Sequence, residues 1–174
     1  MPDGWILRNY EPDDGAFQKK DKKDRLDFLF GRERDDGALV VASRRLQPED
    51  QKKELRVLLD RELNTMRMAG ALLARVPNGR SLEFRPLSPP RAMAIDGAEA
   101  YEIQLETALT GIAEPLRNIW FVLARSLTGD TVVSVTYSNT PSRFPNALDD
   151  AKGFVNRLHL EADRPQAQAQ LQRH

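Results

Sequence analysis

Ile119-Trp120-Phe121-Val122-Leu123-Ala124, within the stretch from Pro115 to Arg125, is apolar at both parities. An extended segment points successive side chains to opposite faces, so this pattern predicts a strand buried on both sides. Something must then cover each face of the sheet that holds it. The surrounding sequence, Arg91 to Leu160, reads as four strands in a row closed by one amphipathic helix. Asp96-Gly97 is a two-residue hairpin signal, since glycine accepts the positive φ that a primed turn needs. After it Tyr101, Ile103 and Leu105 alternate with Glu102, Gln104 and Glu106, the period of a half-buried strand. Thr128-Gly129-Asp130 turns the chain into a strand from Thr131 to Tyr137. The final helix, expected at about 145–159, lines up Leu148, Ala151, Phe154, Val155 and Leu158.

The first half supplies the other layer. Trp5-Ile6-Leu7 is expected to be an early strand, and 25–30 with 38–45 a hairpin. Pro48 is expected to open a long helix, where its missing N–H costs nothing, with Glu49 and Asp50 favoured by the helix dipole. Leu55, Leu59, Leu63 and Met66 give that helix one apolar stripe through Met68, and Gly70 is its expected stop. Leu72-Leu73 and Leu82 to Phe84 read as short strands on either side of Pro77-Asn78-Gly79. Pro86, Pro89 and Pro90 bar a central strand there. The order is strands, helix, antiparallel strands, helix, which is α+β and not the βαβ alternation of a doubly wound sheet. The expected architecture is an antiparallel β-sheet flanked by helices, an α/β/α sandwich. One domain is expected over 1–161, with 162–174 a low-complexity, frayed tail.

A chain of 174 residues buries about 70% of its unfolded surface, enough for a core without staples. Its 26 basic and 26 acidic residues cancel, which removes the long-range field of a generic nucleic-acid binder. The absence of cysteine excludes disulfides, thiolate metal sites and cysteine nucleophiles. No apolar run approaches the roughly 20 residues that span a bilayer. As the sequence stands the chain is expected to be cytoplasmic, or periplasmic if a leader has been removed.

Candidate chemistry is sparse. His159, read near the end of the last helix, and His174 have no neighbours at metal spacing, so neither a metal site nor a cofactor is expected. Glu102, Gln104 and Glu106 share one strand face with successive Cα atoms about 7 Å apart. This reads as a solvated or helix-edged polar face, with a carboxylate-pair hydrolase as the minor alternative. The charge run Lys19 to Arg25 lacks the glycines of a phosphate loop and the aromatics that stack on bases. It reads as a solvated loop. Pro86-Leu87-Ser88-Pro89-Pro90-Arg91 fits a polyproline ligand pattern, but between two strands it reads as a connector.

Four short motifs bring a family into view. They are the opening Pro2-Asp3-Gly4-Trp5, the strand end Ala42-Ser43-Arg44, the strand entry Gly97-Ala98-Glu99-Ala100-Tyr101, and the closing stretch from Ala151 to Leu158 with Phe154-Val155. In these the chain resembles the PsbP-like superfamily, and within it the DcrB-type domains and the Eag chaperones of type VI secretion. The resemblance implies an α/β/α sandwich with no catalytic residue and a protein partner. Members dock on complexes, act as envelope lipoproteins or chaperone apolar segments of secreted proteins. The expected function is a protein-binding accessory or chaperone-like domain, with an envelope lipoprotein domain as the alternative. The binding surface is expected near Trp5, Phe28 and Arg44.

Overall fold

The computed structural model describes residues 5–7, 24–32, 37–75 and 80–160, the first two segments through their backbone alone. The run at 119–124 lies within strand β7 (Arg117–Arg125), and Ile119 to Ala124 are all buried. Alternate residues serve alternate layers. Trp120, Val122 and Ala124 join the core beneath helix α3 (Phe144–Val155), whereas Ile119, Phe121 and Leu123 join the core beneath helix α2 (Leu55–Leu72). The sheet between the helices has eight strands, all paired antiparallel. An α/β/α sandwich is therefore the architecture.

The remaining strands are β1 (Trp5–Leu7), β2 (Asp24–Arg32), β3 (Ala38–Arg45), β4 (Leu82–Pro86), β5 (Arg91–Ile95), β6 (Ala98–Leu109) and β8 (Thr131–Asn139). Their order across the sheet is β1-β2-β3-β8-β7-β6-β4. The long β6 carries β4 on its C-terminal half and β5 on its N-terminal half, so these two form one broken edge. The three prolines of 86–90 therefore lie at an edge, where a missing donor is tolerated. The β5–β6 hairpin turns at Asp96 (φ 51°) and Gly97 (φ 77°), the left-handed pair of a type I′ turn. Asp96 tolerates this conformation because its short polar side chain is among the few that do.

Several expectations need correction. Pro48 opens only a single turn, α1 (Pro48–Gln51), and α2 starts afresh at Leu55. The break is pinned from β7, where the Arg125 guanidinium donates to the carbonyls of Gln51 (3.2 Å) and Lys53. Asp50 does more than meet a dipole. It is buried and takes Lys53 and Arg61 at 2.7 Å each, and these bonds, Arg61 first, hold its carboxyl well below the usual range. The apolar stripe of α2 ends before Met68, which is 63% exposed. Gly70 does not stop the helix. A Cβ there would stand 2.2 Å from the Leu82 carbonyl oxygen, so glycine is what lets α2 lie against β4. Leu72 and Leu73 are helical, the latter opening a turn of 3-10 helix (Leu73–Arg75), not a strand. His159 lies beyond α3, with its Nδ1 3.6 Å from the Asp96 carboxylate. Residues 1–4, 8–23, 33–36, 76–79 and 161–174, with the expectations that fall on them, lie outside the described residues.

Candidate functional site

On the α2 side, helix and sheet do not cover equal areas. α2 buries residues of β6, β7 and the Val132 end of β8. Further across, β3 and β8 pair Ala38 with Ser138, Val40 with Thr136, and Ala42 with Ser134. These six side chains are half-buried, and they alternate with Leu39, Val41, Val135 and Tyr137, which are buried against the other layer. Among the described residues no helix packs on this row. Its floor is small and mixed: methyl groups, hydroxyls and one valine. Two arginines border it. Arg44, paired with Val132, reaches Glu62 on α2, and Arg117 of β7 donates to the Ser138 carbonyl at 3.5 Å.

Arg44 is thus half-buried and tied across to the helix, so its charge is matched while its stem walls the row. Trp5 stands opposite Arg32 in the β1–β2 ladder, and Phe28 opposite Val41 in the β2–β3 ladder. The three expected positions fall on three successive strands. They do not form one compact cluster: Trp5 meets β2 at Arg32 and Arg44 meets it at Asp24. Those positions are eight residues apart, about 26 Å along a strand.

The expectation for the polar face of β6 is refined. Glu102 accepts the Trp120 indole N–H at 2.8 Å and the Arg91 Nε–H at 2.7 Å. Trp120 is fully buried, so Glu102 satisfies a donor that would otherwise be stranded in the core. Glu106 faces Arg85 at 3.8 Å, and Arg85 also binds Glu83 at 2.7 Å. Four residue steps along β6 place the Glu102 and Glu106 Cα atoms about 13 Å apart. Both carboxylates are engaged by arginine. The proline-rich stretch is a connector, as expected, anchored by the Leu87 amide on the Gln104 carbonyl at 2.9 Å. Among the described residues no group of three or more His, Cys, Asp or Glu is placed to hold a metal ion, and no helix is long and apolar enough to cross a membrane.

The residues that reading the sequence missed are Ser134, Thr136 and Ser138. The signal was available: in Thr131 to Asn139 they alternate with Val133, Val135 and Tyr137. Alternation marks one face as polar, but only the position of α2 shows that, among the described residues, no helix packs on it.

This architecture is the PsbP-like fold. The cyanobacterial PsbP protein (CyanoP) of Synechocystis sp. PCC 6803 superposes with a TM-score of 0.62 at 16% identity, covering 92% of this chain and 84% of that one. PA94 of Pseudomonas aeruginosa gives 0.55 at 15% identity, covering 91% and 99%. LpqN of Mycobacterium tuberculosis, involved in cell envelope biogenesis, gives 0.53 at 13% identity, covering 91% and 78%. No family model matches the sequence, and no curated protein matches it.

Proposed function

We propose that this chain is a non-catalytic accessory domain that binds another protein, in the manner of a chaperone, on the row formed by β3 and β8. The observation that supports this reading most is the half-buried row on which no described helix packs: Ala38, Val40 and Ala42 beside Ser134, Thr136 and Ser138. Small side chains let a partner's backbone or helix approach closely, and the hydroxyls can satisfy polar groups that an apolar partner segment carries. The stems of Arg44 and Arg117 wall the row, while their charged ends are engaged by Glu62 and the Ser138 carbonyl. The resemblance to the Eag chaperones points the same way, through Ala42-Ser43-Arg44 at the end of β3. The envelope setting is the second reading, and it draws on the likeness to LpqN.

The test is alanine substitution at Arg44, Trp5 and Phe28, and lysine at Thr136, in variants shown to be folded. A partner recovered with the native chain should bind the Arg44 and Thr136 variants at least tenfold more weakly. Unchanged affinity in those two would remove the β3–β8 row from the binding surface.

A further inference from the structure

We propose that β5 is a self-pairing edge through which two copies of this chain join their sheets into one. The hairpin fixes which of its groups are available. In a two-residue hairpin the residues flanking the turn form a hydrogen-bonded pair, here Ile95 with Ala98. Pairs then alternate, so Met93 with Ala100 and Arg91 with Glu102 also exchange bonds with β6. The N–H and C=O groups of Ala92 and Ala94 therefore point away from β6, and both alanines are exposed. The Leu87 amide, which bonds the outward Gln104 carbonyl of β6, confirms this phase.

Proteins blunt such edges by keeping them short or with charge, proline, bulges or a covering element. The other half of this edge has those devices: β4 ends in Pro86, carries Glu83 and Arg85, and lies under α2 at Gly70. β5 is short and follows Pro89 and Pro90, but from Ala92 to Ile95 it has no charge, proline or bulge, and no described element covers it. Its register with β6 is unbroken, and the Arg91 charge is matched by Glu102.

The occupant follows from symmetry. Ala-Met-Ala reads the same in both directions, and its two outward residues flank Met93. A two-fold axis through Met93 sets Ala92 opposite Ala94 of the second copy, and Ala94 opposite Ala92. Each of these is a pair of outward residues, so four backbone hydrogen bonds close. Arg91 falls beside Ile95 of the second copy, and no like charges meet. The two Met93 residues form the central non-hydrogen-bonded pair, which brings their Cα atoms to about 4.5 Å.

That spacing lies inside the range a disulfide bridges. Because the chain has no cysteine, Met93→Cys introduces a single thiol. Under mild oxidation M93C should become a covalent dimer, while Asp149→Cys on the outer surface of α3 should remain mostly monomeric. By sedimentation, the native chain should move from monomer towards twice that mass as concentration rises. Ala92→Pro with Ala94→Pro removes two outward donors without touching the β5–β6 ladder and should abolish this association. Ala92→Lys with Ala94→Lys should do the same through apposed charges, with no demand on the backbone. A native chain monomeric at every concentration, a dimer that survives both double variants, or M93C that crosslinks no faster than D149C would each overturn the proposal.

Discussion

Gly70→Ala gives the packing of α2 on the sheet a test with a definite sign. In a helix interior this change ordinarily stabilises by about 0.8–1.0 kcal/mol, because alanine has less backbone freedom to lose. At Gly70 the new Cβ would stand 2.2 Å from the Leu82 carbonyl oxygen and 3.0 Å from the Phe84 ring. Reaching even 3.0 Å requires a separation of 3.0 − 2.2 = 0.8 Å between α2 and β4. The obstacle is backbone held in the β4–β6 ladder, so it cannot rotate away as a side-chain end would. Overpacking of this kind costs about 1–3 kcal/mol, which exceeds the helix gain. Set against that gain, the expected net result is a loss of up to about 2 kcal/mol, or up to roughly 8 °C in Tm for a chain of this size. Gly153→Ala in α3 is the matched control, since nothing lies within 4 Å of its Cβ position. It should be neutral or stabilise by up to about 1 kcal/mol. Urea and thermal unfolding followed by circular dichroism read both variants. A Gly70→Ala protein as stable as Gly153→Ala would refute the close approach of helix and edge strand.

Other features of the structure give predictions of the same kind. Glu102→Ala leaves the buried Trp120 indole without its acceptor and should cost about 1–3 kcal/mol in urea unfolding, with a changed tryptophan emission; an unchanged midpoint would mean that bond is not made. Asp50→Asn should cost about 1–2 kcal/mol at neutral pH, less than a fully buried pair because Lys53 and Arg61 reach solvent. The Asp50 carboxyl is held below its unfolded value of 3.8, so its stabilisation is present above that pH and is lost as pH falls towards the folded value. The gap between native chain and D50N should therefore shrink on acidification below about pH 4; a gap that widens there would contradict the clasp. Arg125→Ala should cost about 1–3 kcal/mol and loosen the α1–α2 break, read as faster amide exchange over 50–54.

What the sequence disclosed was local or periodic. Apolar parity at 119–124 required two covering layers, and two helices with suitable stripes were present to supply them. Asp96-Gly97 determined a hairpin and its register, because the turn type demands positive φ at both positions. Features that depended on distant partners were hidden. The break after Gln51 is held by Arg125, more than seventy residues away, so the strong proline signal at Pro48 pointed to a longer helix than exists. Gly70 resembles a helix stop until the Leu82 carbonyl is seen beside it. Glu102 looked like one member of a polar row, and its bond to Trp120 joins strands that only the fold brings together. The candidate site was half legible for the same reason: alternation marks Ser134, Thr136 and Ser138 as one face, while the placement of α2 decides that no described helix packs on it.

The claim that the β3–β8 row receives a protein partner is tested most directly by crosslinking from within it. A photoreactive residue placed at Thr136 should capture a partner in cells of the native organism, and the same residue at Asp149, on the outer surface of α3, should not. Capture from Asp149 with none from Thr136 would contradict the assignment of the β3–β8 row as the docking surface.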